Sequence, residues 1–266
     1  MGTTVLLVGC GKMGGAMLSG WRAAQAATRF VVVDPNVQAG SLPEGTELVG
    51  TMAELPADLR PDAVVLAVKP QMMDQALPGC AGYAAGAVYL SIAAGKPISY
   101  FERHLGADAA IVRAMPNTPA AIGRGISVAV PNSNVTPAQR DLCHALLQAA
   151  GEVAWTEDEA QIDAVTALSG SGPAYVFLLV EAMAKAGVAA GLPGDLAMHL
   201  ARATVAGAGE LLHRSPESAE QLRRNVTSPN GTTQAALEVL MAPEGLEPLM
   251  VRAVAAGQRR SRELAG

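Results

Sequence analysis

An α/β half followed by an all-α half is the fold class that the sequence predicts, and three observations predict it. Apolar, β-branched runs alternate with helical stretches up to about residue 155, the pattern of βαβ units building a parallel sheet. A Gly-x-Gly-x-x-Gly stretch stands between the first such run and the first helical one. After Glu157 no further β-rich run appears, and the remaining segments read as helices. The expected division is a dinucleotide-binding domain over 1–155 and a helical domain over 156–266.

The first element is Thr4–Val8, TVLLV, a continuous apolar run of the kind a strand buried on both faces shows. Gly9-Cys10-Gly11-Lys12-Met13-Gly14 follows, and Ala16, Met17, Gly20 and Trp21 mark a helix. Strand, glycine loop and helix in this order are the Rossmann arrangement. The first glycine permits the tight turn, the second lets a pyrophosphate approach the backbone, and the third lets helix pack on strand. The next strand, Arg29–Val33, ends in Asp34, about 20 residues beyond the loop, where a carboxylate accepts hydrogen bonds from a ribose and repels a 2′-phosphate. NADH is thereby favoured over NADPH. Further strands are expected at Asp62–Val68, Ala87–Ile92, Ala110–Arg113 and Ile126–Val130, with a helix over Thr136–Ala150 and a short edge strand at Val153–Trp155. Ligands of such sheets sit at the carboxyl ends of strands. Ala67, Val68, Lys69 and Pro70, then Ala93 and Ala94, then Asn117, all lie there and are expected to line the cofactor site with Gly9–Gly14 and Asp34.

Helices are expected over about 157–168, 172–190, 194–213, 217–224, 232–242 and 245–264. Ser169-Gly170-Ser171-Gly172-Pro173 reads as an interhelical turn with proline opening the next helix. The stretch Val226–Leu240, VTSPNGTTQAALEVL, reads as a polar loop of turn and capping residues running into a helix. Such a junction aims unpaired backbone N–H groups and hydroxyls at one point, which suits an anion. The small residues Ala201, Ala203, Ala206, Gly207, Ala208 and Gly209 allow close helix–helix approach, including across a subunit boundary.

Composition narrows the function. The chain has 266 residues, half of them hydrophobic but only 3% aromatic, so Ala, Val, Leu and Met must build the core. A net charge of −5 with no basic run before Arg259, Arg260 and Arg262 disfavours nucleic acid. That terminal cluster suits the last turns of a helix. Three cysteines without a CxxC pair exclude a disulfide scaffold or zinc site and fit a reducing compartment. No leader pattern and no uninterrupted membrane-length apolar run are seen, so a soluble cytoplasmic protein is expected. The four histidines lack metal-site spacing and no Gly-x-Ser-x-Gly elbow occurs, so metal and serine hydrolase chemistry are not expected.

GCGKMG at 9–14, AVKPQ at 67–71, MPNTPA at 115–120, LSGSGPAYV at 168–176 and VTSPNGTTQAALEVL at 226–240 together resemble the pyrroline-5-carboxylate reductase family, in that family's order and over nearly the whole chain. One departure is Asn230, where the family usually has glycine; asparagine also tolerates left-handed backbone. The resemblance implies a dinucleotide-binding domain followed by a helical dimerisation domain that interlocks with a partner, and dimers that assemble further. It implies NADH- or NADPH-dependent reduction of the cyclic imine Δ1-pyrroline-5-carboxylate to L-proline. It places the substrate carboxylate at Gly231, Thr232 and Thr233, makes Thr233 the hydroxyl nearest the ring nitrogen, adds Glu159 and Ser171 on the substrate side, and sets Asn225 near the cofactor. The family often has a small polar residue at the position of Asp34, so the aspartate strengthens the lean toward NADH.

Two rival functions share this two-part pattern. A β-hydroxyacid dehydrogenase would need a catalytic lysine in the helical half, and Lys185 is the only lysine after residue 155, well beyond the SGSGP turn. A nucleotide-sensing protein would keep the fold and reduce nothing.

Overall fold

A computed structural model of the chain describes residues 2–265. It divides into two compact units, residues 1–170 with 257–266, and residues 171–256.

In the first unit β1 (Thr4–Val8), α1 (Lys12–Ala24), β2 (Arg29–Val33), β3 (Thr46–Val49), β4 (Ala63–Leu66), α2 (Met73–Cys80), β5 (Val88–Ser91), α3 (Ile98–Leu105), β6 (Ala110–Met115), β7 (Gly125–Pro131), α4 (Pro137–Gln148) and β8 (Gly151–Trp155) follow in chain order. The strands form one sheet in the order β3-β2-β1-β4-β5-β6-β7-β8. Because side chains alternate across the sheet, its two faces make two cores. Val5, Leu7, Phe30 and Val32 meet Met17, Leu18 and Trp21 of α1 and Leu146 and Leu147 of α4. Leu6, Val8, Val31 and Val33 meet Met73 and Leu77 of α2 and Phe101 of α3. Trp21 is fully buried, and its indole N–H donates to the Leu146 carbonyl at 2.7 Å, so this large side chain leaves no polar atom unpaired.

Three features differ from the sequence expectation. Thr46–Val49 is a strand that the sequence reading did not assign; it pairs with β2 at the sheet edge and is only half-buried, so it lacks the continuous apolar run of its neighbours. The sheet is not wholly parallel: β6 and β7 run antiparallel. Their connection is a short proline-containing loop with a 3-10 turn at Thr118–Ile122, too short for the dozen or more residues a parallel crossover needs. Finally, the SGSGP stretch is not an open turn. A 3-10 turn at Glu159–Gln161, α5 (Ile162–Val165) and a π-helical turn at Thr166–Gly170 run on toward the next helix. The Thr166 and Ser169 hydroxyls donate back to the Ile162 and Val165 carbonyls, replacing bonds that the wider turn loosens.

The second unit contains α6 (Gly172–Ala189), α7 (Gly194–Arg214), α8 (Ala219–Asn225), α9 (Thr232–Leu240) and the first turns of α10 (Leu246–Ala265). α6 opens with Pro173, as expected. α6 and α7 pack on each other, and Gly187 lets Ala197 approach closely. Much apolar surface stays uncovered, including Phe177 at 63% exposure, Leu178, Leu211 and Leu212. By length and composition the helical run Glu159–Ala189 could also cross a membrane.

Candidate active site

β1 and β4 are neighbours inside the sheet, and the chain winds outward from them in both directions. Ligands bind outside the carboxyl ends of the strands at such a switch point. A cavity of about 570 Å³ opens there, lined by Gly9, Cys10 and Gly11 after β1, by Val33–Val37 after β2, and by Ala67, Val68, Lys69 and Met72 after β4.

The three glycines are distinct in their surroundings. Gly9 has φ +90°, and a Cβ there would stand 2.7 Å from the Val68 nitrogen. Gly14 lies against the turn: a Cβ would be 2.5 Å from the Gly9 carbonyl oxygen. Around Gly11 a Cβ would meet nothing within 4 Å. The first position thus needs glycine for the turn and the third for packing, while the second faces open space. Lys12 begins α1 with its side chain exposed, and Met13 packs partly into the core.

Asp34 closes the other side of this cavity. Its Oδ2 accepts the Cys10 N–H at 2.7 Å and its Oδ1 accepts the Asn36 N–H at 2.8 Å. The two bonds hold the carboxylate at the mouth of the glycine loop with further lone pairs available. Burial, and then the Asp34 charge, push the Cys10 thiol above its ordinary pKa, so it is a neutral lining group.

Farther along the sheet edge, Pro70 opens the 3-10 turn that follows Lys69, which is exposed. Ala93 is buried, its N–H 3.3 Å from the Ser91 hydroxyl, and Ala94 is exposed. Asn117 is buried at the end of β6, where its side chain accepts the Ile126 N–H and donates to the Ser169 carbonyl. It brackets the start of β7 to the π-helical turn.

Glu159 is a junction the sequence did not resolve. Its Oε1 accepts from Arg113 Nη1 at 2.7 Å and from the Ile98 N–H at 2.8 Å, where α3 begins. Arg113 is 5% exposed. An arginine inside the apolar run AIVRAM is the one sequence signal of this buried pair.

In the second unit Ser171 is the N-cap of α6. Asn225 ends α8, donating to the Glu217 carboxylate at 3.1 Å and accepting from Gln221 at 2.7 Å. At the start of α9 Gly231 is the N-cap and no side chain caps the first turn. Asn230 holds left-handed backbone at φ +57°, as its residue type permits, and its N–H donates to Gln234. The first turn of α9, with Thr232 exposed and Thr233 half-buried, therefore keeps its N–H groups clear of any side-chain cap. A groove of about 230 Å³ lined by Asn230, Gly231 and Gln234 runs beside it.

His144 Nδ1 accepts the Trp155 indole N–H at 3.2 Å, and His104 Nδ1 lies 2.9 Å from the Tyr100 carbonyl, both structural contacts. Among the described residues no group of three His, Cys, Asp or Glu is placed to hold a metal ion.

A family model described as "Pyrroline-5-carboxylate reductase dimerisation" matches residues 159–264, and one described as "NADP oxidoreductase coenzyme F420-dependent" matches residues 4–95. The pyrroline-5-carboxylate reductase of Pseudomonas aeruginosa is 41% identical over 98% of this chain and 96% of its own. That of Mycobacterium tuberculosis is 38% identical over 98% of this chain and 96% of its own. Among solved structures, a pyrroline-5-carboxylate reductase from Coxiella burnetii matches with a TM-score of 0.92 at 32% identity, covering 99% of both chains. One from Plasmodium falciparum, solved with NADP bound, matches with a TM-score of 0.83 at 28% identity, covering 99% of this chain and 98% of its own.

Proposed function

The chain belongs to the pyrroline-5-carboxylate reductase family, and from that footing we propose how its own residues divide the work. It is an NAD(P)H-dependent oxidoreductase that reduces the C=N bond of Δ1-pyrroline-5-carboxylate to give L-proline, the last step of proline biosynthesis. It works as a homo-oligomer.

The observation that carries the cofactor half of the proposal is the open space at Gly11 between two glycines that are sterically required. A dinucleotide fits there: the pyrophosphate lies over Gly11 at the N-terminus of α1, whose backbone N–H groups and dipole favour an anion. Lys12 adds positive charge, and Ala67–Pro70, Ala93 and Ala94 form the wall along which the nicotinamide end extends. Asn117 shapes that wall from beneath, and Asn225 serves the cofactor from the helical half. Asp34 takes the adenosine ribose hydroxyls and sets a preference for NADH, because a 2′-phosphate would meet its charge. The test is Asp34→Ser, expected to shift kcat/KM toward NADPH; an unchanged NADH/NADPH ratio removes Asp34 from the account.

A reduced nicotinamide held by Gly9–Gly14, Asp34 and Ala67–Pro70 would supply a hydride to the imine carbon, the C=N electron pair going to the ring nitrogen. The residues of this chain mainly orient and electrostatically hold the substrate. The N–H groups of the first turn of α9, at Gly231–Thr233, hold the substrate carboxylate. The Thr233 hydroxyl bonds the ring nitrogen, while Glu159 and Ser171 complete the substrate side. No strong acid is required when the substrate arrives as the iminium. Thr233→Ala should leave the fold intact and lower kcat/KM about 100-fold, the scale of losing one aimed hydrogen bond. Near-normal turnover would end the assigned role.

By function the proposed division is 1–155 for cofactor and 156–266 for substrate and dimerisation. The uncovered apolar faces of α6 and α7 are proposed to meet a second copy, making a homodimer that can assemble further. The proposed compartment is the cytoplasm, in keeping with Cys10, Cys80 and Cys143 all being free and buried.

A further inference from the structure

The last turns of α10 pack with the cofactor unit rather than with the helical one. Two contacts bring them there. The Ser261 hydroxyl, on a residue only 6% exposed, donates to Asp163 Oδ1 at 2.7 Å, and Arg262 Nε lies 3.8 Å from Asp163 Oδ2. One turn farther on, the Leu264 main chain lies against Gly95: a Cβ on Gly95 would stand 3.2 Å from the Leu264 carbonyl oxygen. Gly95 is buried with φ +73°, so this position needs glycine both for its backbone and for the helix end pressed on it.

Gly95 belongs to the loop between β5 and α3 that begins with Ala93 and Ala94. At its far end the same loop is tied by the Ile98 N–H to Glu159, one helical turn before Asp163. The loop is thus held twice by one short segment: directly through Glu159, and indirectly through Asp163, Ser261 and the end of α10. We propose that Asp163 and Ser261 are positioning residues for the reaction, a latch that seats the end of α10 behind Gly95 and so fixes the Ala93–Ala94 wall against the nicotinamide end of the cofactor. This rests on the reading of Ala93 and Ala94 as cofactor contacts. Neither latch residue touches the reacting atoms. Their effect falls on nucleotide affinity because the part of the loop behind which α10 seats carries Ala93 and Ala94, read as the wall of that site.

Steady-state kinetics of the full-length oligomer test the latch. Ser261→Ala and Asp163→Ala should each raise KM for NAD(P)H about fivefold, less than the full value of a lost hydrogen bond to a charged acceptor because the loop feels the loss indirectly. KM for the imine and kcat should stay within about twofold. Asp163→Asn keeps an acceptor at Oδ1 and should recover most of the nucleotide affinity. The double variant should be no worse than Asp163→Ala alone, since Asp163→Ala already removes the Ser261 bond together with the Arg262 contact. Thermal midpoint and oligomer size, read in parallel, identify any variant that fails to fold, and the Asn variant then carries the comparison. A lowered midpoint with unchanged nucleotide KM, or equal rises in both KM values, overturns the latch. Ala94→Asp separates the premise from the proposal. If it raises nucleotide KM while Ser261→Ala does not, the latch alone falls. If neither does, the reading of the loop falls and the latch with it.

Discussion

Replacing Gly11 and Gly14 one at a time by alanine should separate binding from folding within a single loop. At Gly14 the new Cβ would stand 2.5 Å from the Gly9 carbonyl oxygen and 3.2 Å from the Ala67 Cβ. The first contact is with backbone, so α1 itself must shift. Overpacking costs about 1–3 kcal/mol, here about 2–3 because backbone must move, and the better helix propensity of alanine returns about 1 kcal/mol. The net loss of about 1–2 kcal/mol lowers Tm by roughly 2–8 °C for a chain of this size. At Gly11 the new Cβ meets nothing within 4 Å, and the backbone, at φ −70° and ψ −164°, suits any residue. Gly11→Ala should therefore fold as well as the parent, or better by about 0.4–1 kcal/mol through a less flexible unfolded chain. Its methyl group nevertheless occupies the space assigned to the pyrophosphate. Nucleotide affinity should fall at least tenfold, equivalent to about 1.4 kcal/mol. Differential scanning at fixed protein concentration gives Tm, and fluorescence titration with NADH gives Kd. Normal NADH affinity in Gly11→Ala would refute the placement of the cofactor, and an unchanged Tm in Gly14→Ala would refute the packing argument.

Arg113→Ala should destabilise the chain by about 2–3 kcal/mol, read as a lower urea midpoint at constant slope; breaking a fully buried pair costs more, but the Glu159 side chain is 32% exposed and regains water. A loss under about 0.5 kcal/mol, typical of a surface pair, would contradict the junction role. Burial pushes the Cys80 and Cys143 thiols up to about 12 from 9.0. The folded chain keeps protons there that the unfolded chain releases, so stability is full below about pH 9 and is lost as pH rises toward about 12. Denaturation midpoints that stay flat across that window would refute this. Cys10 lines the cofactor cavity with its pKa raised, so its alkylation should be slow and slowed further by NADH; equal rates with and without nucleotide would contradict its location.

The parts of the fold that the sequence displayed are those where one physical rule acts alone. β1, β2 and β4 are buried on both faces along most of their length, so their apolar runs are unbroken there. The glycine loop is legible because backbone geometry leaves few other residues possible at Gly9 and Gly14. Thr46–Val49 escaped notice because a half-buried edge strand bears a weak pattern. The antiparallel turn of β7 depends on the length of a connection rather than on its composition. Side chains that act across long separations were the least legible. Arg113 meets Glu159, and Ser261 meets Asp163, only once the chain has folded. The open start of α9 was legible because turn-formers precede the helical run at 232; Gly231 takes the N-cap position and leaves the first turn open.

The central claim is that this open helix start and the glycine-loop cavity serve one reduction. The measurement that reaches it most directly gives the purified protein Δ1-pyrroline-5-carboxylate with NADH and, separately, NADPH. It follows loss of reduced-nicotinamide absorbance together with L-proline formed. The account predicts one proline per nucleotide oxidised with both cofactors, at the higher kcat/KM with NADH. Nucleotide binding without proline formation would contradict it.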